Sequence, residues 1–262
     1  MLDDKVCVVT GAGSGIGRAT AVEMGRQGAR VVVSDIDETS AEQTVSLVRE
    51  GGASAELALC DVSDSDQVRS LMDAAVGAYG DIDVLHNNAG INDALLSERL
   101  AIHELDESVW DRVVAVNLRG VFLCTKYAAP HLLRSTRGPS IVNASSMGGM
   151  TAYPGAVAYC ATKAGVLLLT KSTAVDLAPA VRCNCYCPSV IDTPMVQRYT
   201  DAADDKEALE RELVGAQLLP RLGDPAEVAD LVCFLASDRA SFITGAAYMI
   251  DGGTMAWRGV GQ

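Results

Sequence analysis

Apolar positions along this chain recur in two alternating rhythms. Short apolar-rich runs at 6–9, 30–34, 55–59, 84–86, 140–144, 181–187 and 246–250 have the length and composition of strands. Between them, apolar residues return with helical spacing at 15–28, 39–50, 65–79, 107–135, 156–178, 205–215 and 225–236. Strands that are apolar on successive positions must be covered on both faces, and strands that alternate with helices run parallel. The pattern therefore predicts an α/β fold, a doubly wound parallel sheet in a single domain over 1–262. Its least regular part is 193–222, which includes the acidic run Asp201-Ala202-Ala203-Asp204-Asp205. This part is expected to be either a solvated surface loop or a substrate loop that covers a site.

Composition narrows the classes. The 262 residues suit one large domain. Lys and Arg number 21 against 34 Asp and Glu, a net charge of −13, and no basic cluster appears. A nucleic-acid partner is not expected. No apolar run approaches the ~18 residues of a membrane span, and the first residues lack the basic start of a signal peptide, so no membrane partner and a cytoplasmic residence are expected. Cys183, Cys185 and Cys187 alternate on one strand face, a spacing unlike that of zinc sites, and the three histidines are scattered. No metal is expected. The cysteines read as small buried hydrophobes and His86 as a hydrogen-bonded core residue.

The chemistry begins where the first strand ends. Thr10-Gly11-Ala12-Gly13-Ser14-Gly15-Ile16-Gly17 joins that strand to a helix. Glycines there allow a tight turn and close backbone approach to a pyrophosphate, and the helix N-terminus offers free N–H groups and partial positive charge. Asp35 ends the second strand, 18 residues after Gly17. A carboxylate at that place can accept both ribose hydroxyls of an adenosine and would repel a 2′-phosphate, which points to NAD.

The glycine spacing, G-x-x-x-G-x-G after a Thr, resembles the cofactor motif of the short-chain dehydrogenase/reductase family. Asn87-Asn88-Ala89-Gly90, Tyr159-Cys160-Ala161-Thr162-Lys163 and Asp251-Gly252-Gly253 resemble that family's other signatures, so the resemblance spans nearly the whole chain. It implies a Rossmann-like domain in which Ser146, 13 residues before Tyr159, steadies the substrate oxygen. Asn117 would support a water that links Lys163 to solvent. Around the cofactor the resemblance implies Gly11, Ser14, Gly15, Ile16, Gly17, Asp35 and Ile36 at the pyrophosphate and adenosine, and Asp61 and Val62 at the adenine. Asn88, Ala89 and Gly90 would lie along the riboses, and Pro188, Ile191 and Thr193 at the nicotinamide, with Tyr159 and Lys163 also touching the nicotinamide ribose.

Taken as residues, the Tyr159/Lys163 pair fits general acid–base work. A free Tyr titrates near ~10, too high for a base at neutrality. Lys163 lies one helical turn on. An ammonium ~4 Å from a phenolate, at an effective dielectric of ~20, is worth roughly 4 kcal/mol, or about 3 pK units. The expectation is a phenol drawn toward pH 7.

Three features depart from the family pattern: Ser189 replaces the Gly usual after Pro188, the loop 178–181 is short, and the stretch 91–107 is long. Ser189 would carry a backbone cost if its φ were positive. The expected activity is oxidation of a secondary alcohol or reduction of its ketone, the substrate being a hydrophobic or cyclic small molecule near Leu95, Leu96, Met150, Tyr153, Met195 and Tyr199. Arg198 keeps a small hydroxy acid as the alternative substrate. A catalytically silent nucleotide-binding regulator and a nucleotide-sugar epimerase are the other classes. The first would be expected to lack Tyr159, Lys163 or Ser146, and the second to carry a longer C-terminal part and a different glycine turn. Apolar residues on more than one face of the helices at 107–135 and 156–178, together with the resemblance, lead to the expectation of a homotetramer.

Overall fold

The computed structural model describes residues 1–201 and 205–256. Residues 202–204 of the acidic run lie outside the described residues. Seven strands, β1 (Val6–Thr10), β2 (Arg30–Asp35), β3 (Ala55–Leu59), β4 (Val84–Asn87), β5 (Ser140–Ala144), β6 (Arg182–Pro188) and β7 (Ala247–Ile250), form one parallel sheet in the order β3-β2-β1-β4-β5-β6-β7. The order reverses direction between β1 and β4, and a crevice opens there at the strands' C-terminal ends. β1, β4 and β5 are buried at every position, which explains why apolar residues stand at successive positions in them.

Helices cover both faces: α1 (Gly15–Arg26), α2 (Glu38–Glu50), α3 (Ser65–Tyr79), α4 (Glu107–Val114), α5 (Gly120–Leu132), α6 (Val157–Leu177), α7 (Pro194–Asp201), α8 (Lys206–Gly215) and α9 (Pro225–Ala236). One core layer packs Met24, Val45, Val228 and Val232 on the sheet, and the other packs Leu71, Met72, Leu123 and Leu132. Both use the alternate side chains of the same strands, Val9 and Val33 facing one layer and Val8 and Leu85 the other.

Two expectations change. The single helix expected over 107–135 is α4 and α5 joined by a π-helical turn at Ala115–Arg119. Such turns insert an extra residue into a helix and often mark functional positions. Asn117 sits in this one, fully buried. Within 193–222, α8 is the helix expected near 205–215, and α7 is a helix where none was expected.

Candidate active site

The glycine turn closes the crevice from below. Gly11 has φ +62°, and a Cβ there would lie 2.7 Å from Ala89 Cα, so only glycine lets the turn after β1 meet the end of β4. A Cβ on Gly17 would lie 2.1 Å from the Gly11 carbonyl oxygen, so Gly17 serves helix–strand packing rather than facing the crevice. The side chain of Ser14, the N-cap of α1, makes no capping hydrogen bond. The first N–H groups of α1 therefore remain available to an anion, the condition that a bound pyrophosphate requires.

One cleft of about 360 Å³ runs along the switch point. Following the strand order, Asp61 and Val62 after β3 and Asp35 and Ile36 at β2 line one end, Gly11, Ser14, Gly15 and Ile16 after β1 and Asn88, Ala89 and Gly90 after β4 the middle, and Tyr159, Lys163, Pro188 and Thr193 the other end. Gly17, Asn117 and Ser146 are not part of this lining, and Ile191 lines a separate pocket with Ser189 and Gln217. At the first end, Asp35 accepts hydrogen bonds from the backbone N–H of Gly13 at 2.8 Å and of Asp37 at 3.0 Å, so its carboxylate is held in a fixed orientation. At the same end, Asp61 pairs with Arg112 at 3.0 Å. Asn88 spends its side-chain amide on the carbonyls of Thr10 (3.1 Å) and Gly11 (3.0 Å), locking the turn to β4.

Beneath Asn88 lies a buried polar chain. Tyr186 Oη donates to Asn88 Oδ1 at 3.3 Å, and His86 Nε2 lies 3.1 Å from the same hydroxyl. The hydroxyl's proton goes to Asn88, so His86 donates through Nε2–H and leaves Nδ1 without a partner. Burial drives the His86 pKa down to about 3, and the imidazole is neutral. The reading of His86 as a hydrogen-bonded core residue holds. Tyr186 and Arg112 line the cleft although the sequence did not single them out. For Tyr186 the visible signal was slight, a hydroxyl in a strand that also carries Arg182 and Asn184. Arg112 had none, since its partner lies 51 residues away in sequence.

At the far end, α6 presents Tyr159 and Lys163. The Lys163 ammonium lies 5.5 Å from the Tyr159 ring centroid and donates to the Ala144 carbonyl at 2.8 Å. The expected acidification of the phenol is not met in the chain itself. Burial raises the Tyr159 pKa above its ordinary value, and the neighbouring Ser146 hydroxyl offsets only part of that. Burial likewise lowers Lys163 to about 8. The charged form of each group is penalised by the same dry environment. Ser146 rather than Ser145 faces the phenol; the Ser145 hydroxyl donates to the Lys163 carbonyl at 2.9 Å and so braces the helix.

Asn117 grips the chain after β4 from both sides, accepting from Ile91 N–H and donating to Ile91 C=O, each at 2.8 Å. A Cβ on Gly90 would lie 3.4 Å from Asn117 Oδ1 and 3.5 Å from Lys163 Nζ, so the two polar groups flank the same glycine. Ser189 does not pay the expected backbone cost, since Asp4 alone among described non-glycine residues has a positive φ. Its hydroxyl donates to Gln217 Oε1 at 2.9 Å. Of the residues expected around the substrate, Leu95, Met195 and Arg198 line the cleft, and the Tyr153 ring lies 6.4 Å from that of Tyr159. Leu96, Met150 and Tyr199 are exposed outside the lining. Among the described residues no cluster of His, Cys, Asp or Glu could hold a metal ion.

A parallel sheet with a glycine turn at its switch point and a Ser–Tyr–Lys set across the cleft defines a nucleotide-dependent oxidoreductase, and the comparisons agree. A family model described as enoyl-(acyl carrier protein) reductase matches residues 11–255. The chain is 42% identical over 257 residues to 3-oxoacyl-(acyl-carrier-protein) reductase FabG of Thermotoga maritima, covering 96% of this chain and 98% of that one. It is 41% identical over 251 residues to cis-4-hydroxycyclohexanecarboxylate dehydrogenase of Sinomonas cyclohexanicum, covering 95% and 96%. It is 38% identical over 253 residues to cyclopentanol dehydrogenase of a Comamonas strain, covering 96% and 97%. The chain belongs to the short-chain dehydrogenase/reductase family. It is an oxidoreductase that acts on a secondary alcohol or its ketone.

Proposed function

We propose that the enzyme is NAD-dependent and that its substrate is a hydrophobic, cyclic secondary alcohol or the matching ketone. One observation carries this reading: a single cleft joins a fixed carboxylate, Asp35, at its adenosine end to Tyr159 and an apolar wall of Leu95 and Met195 at its other end. The likeness to enzymes named for cyclopentanol and for a hydroxycyclohexane acid supports it.

NAD, when bound, supplies a cationic nicotinamide that takes the hydride. The chain does the rest. Tyr159 Oη takes the hydroxyl proton as the C–H bond breaks and returns a proton in the reverse direction. Ser146 Oγ holds the substrate oxygen and steadies charge that develops on it. Lys163 places a positive charge beside the phenolate, and Asn117 holds the chain after β4 in place and supports a proton path from Lys163. Asp35 accepts the adenosine ribose hydroxyls. Asp61 and Val62 hold the adenine, and Ile191 and Thr193 the carboxamide.

The α5–α6 surface supports a homotetramer. Val121 and Val166 are buried, whereas Phe122, Leu168 and Val175 are exposed, the last at 78%. All eight cysteines are free and buried, as a reducing, cytoplasmic setting permits. Among the described residues no helix is long and apolar enough to cross a membrane.

The test is a screen of cyclopentanol, cyclohexanol, 4-hydroxycyclohexanecarboxylate and short hydroxy acids, each with NAD and with NADP, following reduced-nicotinamide absorbance. Faster turnover of the rings with NAD is expected. Preference for NADP, or for a short hydroxy acid, would refute the reading. Light scattering at micromolar concentration tests the tetramer, and a monomer would contradict it.

A further inference from the structure

Helix α6 carries the acid/base pair, yet its own start is poorly finished. Its N-cap, Ala156, has no side chain able to accept from the first turn, and no side-chain cap is made from that position. The missing acceptor comes from elsewhere. Asp93, in the short helical turn Asp93–Leu95 that follows β4, accepts from Ala158 N–H through Oδ1 and from Tyr159 N–H through Oδ2, each at 2.9 Å. Asp93 is only 1% exposed. A buried carboxylate that spends both oxygens on one helix N-terminus is held there by charge-assisted hydrogen bonds and by the helix dipole.

The same turn bears Leu95, part of the apolar wall of the cleft. Two residues earlier, Ile91 is gripped by Asn117. The segment is thus pinned at one point to the π-helical turn and at another to the backbone of Tyr159 itself.

We propose that Asp93 is a positioning residue for the reaction: it fixes the distance between the substrate wall and the Tyr159 phenol, and its negative charge sets how readily that phenol ionises. The proposal rests on the dehydrogenase reading for its kinetic consequence, but not for its electrostatic one. Around the phenol stand Ser146 from the turn after β5, Lys163 and Cys160 from its own helix, Tyr153 from the loop before α6 and Tyr186 from β6, while Asp93, from the turn after β4, reaches the backbone N–H of the same residue. Among these Asp93 is the carboxylate. Neutralising it unmasks the positive end of α6 and favours the phenolate.

The experiment compares Asp93→Asn and Asp93→Ala in the full chain, with Tyr159→Phe as reference. NAD affinity is read by quenching of protein fluorescence. The phenol is titrated by ultraviolet difference against Tyr159→Phe, and kcat and KM for cyclopentanol are measured across pH. Both variants are expected to bind NAD within about two-fold of wild type. Asp93→Ala should lose about 30- to 100-fold in kcat with KM changed far less, the scale of a misplaced catalytic group. Asp93→Asn keeps one acceptor oxygen and should lose less. In both, the phenol titration and the rising limb of the pH profile should move down by about 0.5–1 pH unit.

A merely structural residue would lower kcat without moving that limb. Unchanged kcat and an unchanged limb would overturn the proposal, as would loss of NAD binding together with activity, which reports collapse of the whole cleft. If wild type oxidises no alcohol, the dehydrogenase reading fails. The phenol titration then still decides the electrostatic role of Asp93: a downward shift supports it and no shift overturns it.

Discussion

The two ends of the cleft are built in opposite ways. At the end where Asp35 lies, the polar groups are anchored to backbone: Asp35 to the N–H groups of Gly13 and Asp37, and, next along the cleft, Asn88 to the carbonyls of Thr10 and Gly11. At the end where Tyr159 lies, the wall is apolar, Leu95 on a short helical turn and Met195 on α7, and the segment after β4 is held by Asp93 on α6 and Asn117 on Ile91. A shared cofactor demands fixed donors and acceptors, whereas an apolar substrate asks only for shape, so substrate can be exchanged without disturbing the nucleotide.

Tyr159 tests the apolar end most sharply. Tyr159→Phe should retain NAD binding and lose at least ~100-fold in turnover, measured as steady-state kcat beside a fluorescence titration of NAD. Turnover close to wild type would break the assignment.

Asp35 tests the anchored end. Asp35→Ala removes charge-assisted hydrogen bonds worth roughly 1.5–3 kcal/mol each, so kcat/KM with NAD should fall at least ~10-fold while that with NADP rises. A wild-type enzyme already faster with NADP would contradict the prediction.

The third prediction concerns the buried support below Asn88. The folded pKa of His86, about 3, lies below its ordinary 6.5. Between those values the unfolded chain binds a proton that the folded chain refuses, so stability is complete above pH 6.5 and is lost as pH falls toward 3. His86→Val should flatten this loss by about 2 kcal/mol between pH 6.5 and 4.5, seen in denaturant unfolding at the two pH values. Tyr186 keeps Asn88 as its partner in the variant. Equal acid sensitivity in both proteins would show that His86 is not kept neutral.

The smallest effect belongs to the loosely tied end. Arg198 lines the cleft. Arg198→Ala should leave KM for cyclopentanol within about two-fold, and should raise KM at least several-fold only for a carboxylate-bearing ring. A large loss with the neutral alcohol would mean that Arg198 shapes the pocket rather than reading charge.

How much of this was legible in the sequence follows the same division. The strands and most helices were readable because burial on both faces leaves continuous apolar runs. The glycine turn, Asp35, Tyr159 and Lys163 were readable because their chemistry depends on local spacing. The π-helical turn at Asn117 was not, because its apolar pattern is that of an ordinary helix shifted by one residue. Asp93 was missed for a different reason: its partners lie 65 and 66 residues further on, and an Asp in a polar loop gives no sign that it will be buried. The acidity of Tyr159 was misjudged because spacing shows the nearby ammonium but not the loss of water that acts on both groups.

The switch point between β1 and β4 also bears on how the chain is made. β1 pairs with β2 as soon as residue 35 is available, but its other edge waits for β4, beginning at Val84. Asp83 closes that gap: its N–H bonds the Val6 carbonyl at 2.9 Å and its carboxylate accepts from Val6 N–H at 2.8 Å. Until Asp83 leaves the ribosome, the nascent chain therefore displays a bare, wholly apolar strand edge over Cys7, Val8 and Val9, open to pairing with another chain. A truncation ending near residue 80 should be a far stronger seed for aggregation than one ending near residue 90, although the two differ by only one short strand.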